Sequence, residues 1–440
     1  MVMRRLIPDC EGGFDRREFL GAALTGAAAL SVPIPGGSAL ASSGRAQSRS
    51  SAIDAIPDAG AWVELDRAAV AANLAAVRAQ AGGRPVMGVI KANGYGHGVV
   101  PMARLLAAAG VDQLMVITVD EALSIRDAGI EVPVLNYGPF DRRAAEDLVR
   151  QGIDQAVYTT AAVEAMAAAA RRVGSAARVQ LIFDTGLGRV GVGEDRAAAL
   201  LADIAGIQSD SDLSITGAAT ALTEDAEYDR VQLERYIGLC DRAVDIRVDL
   251  GTRHVASSAA VLDFAESHLD MVRPGIMLYG HYPNERSMSE RPIELVPVMS
   301  LRAKVAYVKT LQAGDSIGYH RAWVAERQTI VATLPIGHFE GYPAGALAAG
   351  GAVQIDGRAC PLVGGITSNH LEVAVPEGVS VEVGDTATLI AGGAAEYSGA
   401  GQPVGAGLWA PTAQQVGQWD GAGVYGTLMH INPLLPRVIT

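Results

Sequence analysis

The chain has 440 residues, a formal net charge of −13 and three cysteines. Its length suits two domains better than one small domain. The acidic balance argues against a nucleic-acid partner, because a phosphate backbone is bound by clustered lysine and arginine. Cys10, Cys240 and Cys360 exclude a disulfide framework and lack the spacing of a zinc site, so we expect no metal.

Residues 1–41 have the pattern of an export signal. The pair Arg16-Arg17 precedes Phe19-Leu20 and a short apolar stretch, and Ala39-Leu40-Ala41 offers small residues for cleavage. Twin arginines in this setting are typical of a Tat signal. The apolar stretch is too short to span a bilayer comfortably, so we expect cleavage, no membrane anchor and a periplasmic location. Residues 42–60 are predicted to be a disordered tether.

Residues 61–295 alternate between short apolar runs and helical stretches. Asp66 is a predicted N-cap for the first helix. The predicted strands are residues 86–90, 114–118, 132–135, 155–158, 179–183, 213–217, 254–256 and 271–278. Eight strands separated by helices predict an α/β fold of the (β/α)8 barrel type rather than an open doubly wound sheet.

The pattern changes after residue 295. Leu301, Ala303 and Val305 alternate with other residues, and residues 329–334, 371–375 and 387–390 are further predicted strands joined by glycine-rich turns. A mostly β C-terminal domain is therefore predicted for residues 296–440. Residues 61–65 are a candidate strand that joins it.

Lys91 is the most informative residue of the predicted barrel. It follows the apolar run 85–90 and opens the segment Lys91-Ala92-Asn93-Gly94-Tyr95-Gly96-His97-Gly98. A lysine in an apolar setting is costly unless it is neutral or covalently engaged. The alternative is a surface lysine whose stem packs on the strand.

Other polar residues also stand where barrel strands end. Arg189 closes the segment 184–189 after the fifth strand, Ser257-Ser258 follow the seventh, and Arg273 lies in the eighth with Gly275 and Ile276. Barrel active sites lie at the C-terminal ends of the strands, and phosphate is often held after strands seven and eight. These residues are therefore predicted to share one site with Lys91.

These motifs, and nearly all of residues 61–440, resemble the alanine racemase family, which binds pyridoxal 5′-phosphate (PLP). The resemblance implies that Lys91 holds PLP as a Schiff base and moves one of two protons. It implies phosphate contacts by Tyr95, Ser258, Gly275 and Ile276, with Arg273 at the pyridine nitrogen and Arg189 near the phenolic oxygen and the substrate carboxylate. It also implies a homodimer in which the second domain of one subunit completes the site of the other.

The chain departs from the family pattern in its second domain. The segment Gly-Tyr-x-Asp-Gly-Tyr of the family reads Gly337-His338-Phe339-Glu340-Gly341-Tyr342. We interpret its first tyrosine as the group that acts on the substrate face opposite the lysine, so His338 is predicted as the second catalytic base. Imidazole, with a pKa near ~6.5, is a competent base at neutral pH.

Ser368-Asn369 replaces a Met-Asp pair at the entrance of the partner site. We expect Ser368 and Asn369 to bind substrate and, having less bulk and charge, to admit substrates larger or more polar than alanine. Three further family residues differ: Ala221 replaces a histidine that supports Arg273, Ile182 replaces a lysine that is often carbamylated, and Pro433 aligns with a phosphate-binding tyrosine.

The predicted function is a PLP-dependent racemase that interconverts L- and D-amino acids. Two alternatives remain open from the sequence. One is a PLP-dependent aldolase or lyase that acts on β-hydroxy amino acids with His338 as its base. The other is a homologue that binds PLP without catalysis.

Overall fold

The computed structural model describes residues 52–53, 56–58, 60–208, 212–393, 397–398, 402–403 and 409–440. The predicted export signal, residues 1–41, lies outside the described residues, as does most of the predicted tether. Within the tether, however, Ala52–Ile53 pairs in parallel with the strand Arg437–Ile439. Among the described residues, no helix is long and apolar enough to cross a membrane.

The N-terminal part of the described chain is a parallel α/β barrel, as predicted. Its strands are Met87–Val89, Gln113–Val116, Val134–Asn136, Asp154–Val157, Ala177–Asp184, Leu213–Ala219 and Thr252–His254, each paired with the next. Single bridges close the ring, because Met271 pairs with His254 and Val272 with Val86. Gln113–Val116 is buried throughout, as expected for a strand with side chains inside the barrel and helices outside.

Helices surround the barrel strands. They are Arg67–Gln80, Val99–Ala108, Val119–Asp127, Ala144–Arg150, Thr160–Val173, Glu194–Gln208, Ala226–Asp245 and Ser258–Asp263, with Glu285–Glu290 beyond the last strand. Side chains of Asp66, Thr118, Thr159 and Asp225 accept hydrogen bonds from the first turns of four of them. The predicted cap at Asp66 is thereby confirmed, and each such cap satisfies an amide that the helix itself leaves unpaired.

The eighth strand is shorter than predicted. Met271 and Val272 form bridges with neighbouring strands, and backbone hydrogen bonds continue only as far as Pro274, whose oxygen accepts from the amide of Val89 at 3.0 Å. Ile276–Tyr279 forms a 3₁₀ turn. Pro274 has no amide hydrogen for a strand ladder, and Gly275 leaves the extended conformation with φ −111° and ψ −90°. The apolar run 271–278 could not reveal this, because a buried turn has the same hydropathy as a buried strand.

The second domain is built on a ten-stranded sheet. In spatial order its strands are Ala52–Ile53, Arg437–Ile439, Ala61–Leu65, Met299–Lys304, Thr386–Ile390, Ala352–Ile355, Arg358–Val363, Leu371–Val375, Thr329–Leu334 and Tyr307–Leu311. Ala61–Leu65 pairs antiparallel with Met299–Lys304, so the prediction that it joins this domain is confirmed. The predicted strand Leu371–Val375 is confirmed, and it alternates between buried and half-buried residues.

Smaller elements complete the second domain. Ser316–Ile317 pairs with Trp323–Val324 and Tyr397–Ser398 with Gln402–Pro403; short helices are Tyr319–Arg321, Gly345–Ala348, Ala413–Asp420 and Gly423–Met429. Gly423–Met429 lies against the Lys91 turn. A Cβ atom on Gly96 would stand 1.8 Å from the carbonyl oxygen of Leu428, so glycine is required for this close approach.

Candidate active site

All seven predicted cofactor residues line one cavity of about 410 Å³ at the C-terminal ends of the barrel strands. They are Lys91, Tyr95, Arg189, Ser258, Arg273, Gly275 and Ile276. A larger groove of about 980 Å³ lies in the second domain beside Trp323 and Ile330, but none of the predicted site residues lines it. The barrel cavity is therefore the candidate active site.

Lys91 enters this cavity from a turn that follows the buried strand Met87–Val89. Burial lowers the pKa of its amine below the ordinary lysine value, and the nearby charge of Arg189 lowers it further. The negative charge of Glu121 opposes this change. A lowered pKa leaves more of the amine neutral, which is the form that attacks a carbonyl carbon.

Ser258, Gly275 and Tyr95 form a cradle for an anion. The amide of Gly275 donates to Ser258 Oγ at 2.9 Å, which leaves the hydroxyl hydrogen of Ser258 free to donate elsewhere. Burial raises the pKa of Tyr95 to about 12, so its phenol stays protonated. A Cβ atom on Gly275 would lie 2.6 Å from Tyr95 Oη. Hydroxyl donors around a backbone without a side chain fit the phosphate of PLP.

Arg273 is 8% exposed and is held by backbone carbonyls. Its Nη2 donates to the oxygens of Thr220 and Val255 at 2.6 and 3.0 Å. These carbonyls provide the support that a histidine at Ala221 would have given. The Nε atom of Arg273 is buried and has no hydrogen-bond partner among the residues that the structure describes. A guanidinium offers only donors, so this group fits an acceptor such as the pyridine nitrogen.

Arg189 stands in a turn shaped by Asp184. Oδ1 of Asp184 accepts hydrogen bonds from the amides of Gly186 and Gly188, each at 3.0 Å. Ile182, in the strand before this turn, is fully buried and apolar. No salt bridge of Arg189 is found within the described part of the chain. Its planar fork is thus suited to a substrate carboxylate.

Two tyrosines that the sequence did not single out also line the cavity. Tyr425 reaches it from the second-domain helix Gly423–Met429, with its ring 6.1 Å from that of Tyr95. Pro433, which the sequence aligned with a phosphate-binding tyrosine, does not line it. Tyr137 lies under Arg273, whose guanidinium carbon is 5.9 Å from the ring centroid. No motif surrounds either tyrosine, so only their placement in space reveals them.

The second-domain residues predicted to act on substrate do not line the Lys91 cavity within one chain. His338 lines a separate cavity of about 280 Å³ with Tyr342 and His430. The amide of His338 donates to the oxygen of Thr367 at 3.0 Å, and Asn369 Nδ2 donates to Glu340 Oε1 at 2.8 Å. The structure therefore brings His338, Ser368 and Asn369 together, at an exposed end of the second domain.

Tyr319 lies in a short 3₁₀ turn of the second domain and is 82% exposed. It follows Gly318, which approaches Gly364 in the loop that leads to Ser368. The next two residues, His320 and Arg321, have φ angles of 58° and 56°. A strained backbone next to an exposed tyrosine side chain is typical of a functional position. We call Tyr319, His338, Ser368 and Asn369 the second-domain tip.

The mouth of the barrel holds a lysine of lowered pKa, a phosphate cradle and two guanidinium groups. These features are those of a PLP-binding barrel enzyme. Family models described as the alanine racemase N-terminal and C-terminal domains match residues 65–283 and 298–406. An alanine racemase of Desulforamulus reducens is 33% identical over 382 residues, which is 86% of this chain and 98% of that protein.

Solved structures agree with the sequence relatives. An alanine racemase from a D-cycloserine-producing Streptomyces lavendulae has a TM-score of 0.77 at 32% identity, covering 88% of this chain and 98% of that one. A histidine racemase from Leuconostoc mesenteroides subsp. sake has a TM-score of 0.76 at 28% identity, covering 88% and 99%. The chain belongs to the alanine racemase family. The predicted family, α/β barrel fold, PLP dependence and isomerase class are confirmed.

Proposed function

We propose that this enzyme racemises amino acids with Lys91 on one face of the substrate and a group from the second-domain tip of another copy on the other. The observation that carries the proposal is the convergence of Lys91, Arg189 and the phosphate cradle on one cavity. When bound, PLP supplies the electron sink that makes the proton on the substrate α-carbon acidic. The chain's own residues then position the substrate and move protons.

Each cavity residue has a distinct part in this proposal. Lys91 binds the cofactor and, as a neutral amine, takes or returns a proton on its own face. Arg189 orients the substrate through its carboxylate. Arg273, donating only, keeps the pyridine nitrogen unprotonated, and a less electron-poor ring favours prompt return of the proton over transamination. The phosphate is held by Tyr95, Ser258, Gly275 and Ile276. Tyr425 lines the same cavity beside Tyr95, so we assign it to the phosphate site as well.

Racemisation needs a second acid/base on the opposite face of the substrate. The second-domain tip carries such groups, but none of its four residues lines the Lys91 cavity of the same chain. We therefore propose a homodimer in which the tip of each subunit enters the cavity of the other. Such an arrangement accounts for an 82% exposed tyrosine on a strained turn, since an interface would cover it.

Two residues of the tip could be the second acid/base. His338 is the candidate from sequence. Tyr319 is the candidate from structure, and its exposure and longer reach favour it, because His338 is tied by its amide to Thr367 and faces its own cavity. We expect Tyr319→Phe to lower racemisation by about 10²–10⁴-fold, the usual effect of removing a general acid or base. PLP absorbance should be unchanged. If His338→Gln has that effect and Tyr319→Phe does not, the histidine is the base.

The dimer and the shared site can be tested together by mixing inactive variants. Lys91→Ala and Tyr319→Phe subunits should each have no more than about a hundredth of wild-type activity alone. After unfolding and joint refolding, about a quarter of wild-type activity should return, since half of the dimers are mixed and each mixed dimer keeps one of two intact sites. A mixture that stays inactive, while refolded wild-type enzyme is active, would contradict a site shared between subunits.

We propose that the substrate is larger or more polar than alanine. Ser368 and Asn369 at the tip are exposed and lack the bulk and charge of the family pair. The similarity to a histidine racemase is compatible with such a range. Purified enzyme should be incubated with alanine, serine, histidine, lysine and arginine in deuterium oxide, followed by chiral analysis. We expect D-enantiomers carrying α-deuterium, with at least one larger amino acid turned over faster than alanine.

Other outcomes of this experiment identify other functions. Release of an aldehyde from a β-hydroxy amino acid would indicate a lyase. Bound PLP without α-deuteration of any amino acid would indicate a binding protein.

We also propose that the enzyme is exported to the periplasm by a Tat signal, on the strength of Arg16-Arg17 and the apolar stretch that follows. Replacing both arginines by lysine should retain the protein in the cytoplasm.

A further inference from the structure

The turn that carries Lys91 has an unusual backbone. Ala92, Asn93, Gly94 and Tyr95 all have positive φ angles, of 55°, 55°, 61° and 49°. Only one of these four residues is glycine. Residues with a Cβ atom rarely adopt this conformation, and a run of three within four residues needs external support. Because Lys91 immediately precedes this run, whatever supports the run also sets the direction of the lysine.

Glu121 supplies such support from the neighbouring barrel unit. Its Oε1 accepts a hydrogen bond from the amide of Asn93 at 2.8 Å, and its Oε2 accepts one from the amide of Ile117 at 3.2 Å. Ile117 directly follows the strand Gln113–Val116 and lines the Lys91 cavity. One half-buried carboxylate thus joins the end of the second barrel strand to the middle of the left-handed run. Hydrogen bonds to an ionised acceptor are stronger than neutral ones.

Glu121 is itself held in place. Its own amide donates to Thr118 Oγ1 at 3.2 Å, which fixes it in the first turn of the helix Val119–Asp127. On the other side of the Lys91 turn, Asn93 Oδ1 accepts from the amide of Val99 at 3.1 Å, and Arg437 Nη2 donates to the oxygen of Gly96 at 2.8 Å. The first contact ties the side chain of Asn93 to the next helix, and the second holds the end of the turn at Gly96. Within the turn the amide of Gly94 donates to the oxygen of Ile90 at 2.9 Å, and Glu121 adds a charged acceptor from a separate helix.

We propose that Glu121 is a positioning residue for the cofactor lysine, whose carboxylate holds the left-handed turn so that the Lys91 amine faces the cofactor aldehyde. The inference rests on the proposed role of Lys91 as the covalent attachment point. In that attachment the amine nitrogen replaces the aldehyde oxygen, and water leaves. Glu121 touches none of the reacting atoms and acts through the backbone of Asn93.

The variant Glu121→Gln separates this role from its alternatives. A glutamine side chain keeps one acceptor and gains an NH₂ group, so one of the two amides, of Asn93 or Ile117, would face a donor. We expect covalent attachment of PLP to apoenzyme, followed by its visible absorbance, to weaken by about tenfold or more, the usual effect of losing a hydrogen bond to a charged group. Asp120→Asn, an exposed acidic neighbour on the same helix, is the matched control and should have no effect.

Pyridoxine 5′-phosphate provides the decisive comparison, because it has the same ring and phosphate but no aldehyde. If Glu121 positions Lys91, the variant should bind this analogue as tightly as the wild type while losing affinity for PLP. Equal losses for both ligands would overturn the inference and show that Glu121 only maintains the pocket. Unchanged affinity for both would overturn it as well.

The direction of the change in attachment rate distinguishes the positioning role from a purely electrostatic one. The charge of Glu121 raises the pKa of Lys91, so its removal alone would leave more neutral amine and speed attachment near pH 7. Faster attachment in Glu121→Gln would therefore also overturn the inference. Wild-type enzyme and Lys91→Ala must be measured in parallel. A wild type that forms no covalent adduct would refute the proposed function itself, whereas an adduct insensitive to Glu121→Gln refutes only the positioning role.

Discussion

Gly275→Ala tests the phosphate cradle with the smallest possible change. Gly275 has a negative φ of −111°, so alanine need not adopt a left-handed conformation there, and the main change is the added methyl group. That methyl carbon would lie 2.6 Å from Tyr95 Oη, against an ordinary contact of at least 3.4 Å. The phenol would have to move by about 0.8 Å, the difference between these distances.

The surroundings of Tyr95 restrict that movement. The ring is 6% exposed and packs 4.9 Å from the ring of Tyr279 and 6.1 Å from that of Tyr425. Overpacking of this kind usually costs about 1–3 kcal/mol. A phenol pushed out of the cradle would also lose its hydrogen bond to a charged phosphate, worth about 1.5–3 kcal/mol. We therefore expect the dissociation constant for PLP to rise by about 10- to 100-fold.

The assay is titration of apoenzyme with PLP, with pyridoxine 5′-phosphate in parallel because both ligands carry the phosphate. Both affinities should fall together in Gly275→Ala, in contrast to Glu121→Gln. Gly238→Ala is the control, since a Cβ atom there meets nothing within 4 Å and the site lies inside the helix Ala226–Asp245. It should leave PLP binding unchanged and stabilise the protein slightly. If Gly275→Ala binds both ligands as tightly as the wild type, the cradle has been placed wrongly.

Three further outcomes are expected. Arg189→Gln removes a charge that lowers the pKa of Lys91, so the pH midpoint for attachment of PLP should move upward in stopped-flow absorbance; a downward shift would contradict this assignment. Burial lowers the pKa of His97 to about 3, so the unfolded chain binds the extra proton between pH 6.5 and 3. As the pH is lowered over that range, the free energy of unfolding, measured by denaturant titration at each pH, should fall by up to about 1.4 kcal/mol per pH unit. In His97→Asn the free energy of unfolding should depend less steeply on pH. Arg437→Met leaves the carbonyls of Gly96, Asn432 and Leu435 without their donor and should destabilise the protein by about 3 kcal/mol in the same titration; unchanged stability would show that these bonds contribute nothing net.

The local pattern of the sequence was sufficient for the architecture. Apolar runs separated by helical stretches predicted the barrel, and alternation after residue 296 predicted the β domain, because burial on both faces and burial on one face leave different periodicities. The pattern did not reveal where the eighth strand stops. The strand ends at Pro274, which accepts a ladder hydrogen bond but cannot donate one, and the backbone turns away at Gly275 while the side chains around them stay buried.

The residues of the cofactor site likewise fall into two groups, those that the sequence predicted and those that only the structure revealed. Lys91, Arg189 and Ser258 could be predicted because each follows a strand, and Arg273 because it lies in the eighth strand; parallel strands in a barrel end at one mouth. Tyr425 comes from a distant helix and Glu121 acts through the backbone of another residue, so no spacing along the chain marks either one. Tyr319 is marked only by its exposure, which is a property of the folded surface. The sequence alone thus predicted the fold, which follows from local periodicity, whereas the cofactor was predicted from the resemblance of the Lys91 segment and the strand-end residues to the alanine racemase family. The tertiary structure decided which side chains support Lys91 and which stay exposed on the second domain, because folding brings together segments that the chain order keeps apart.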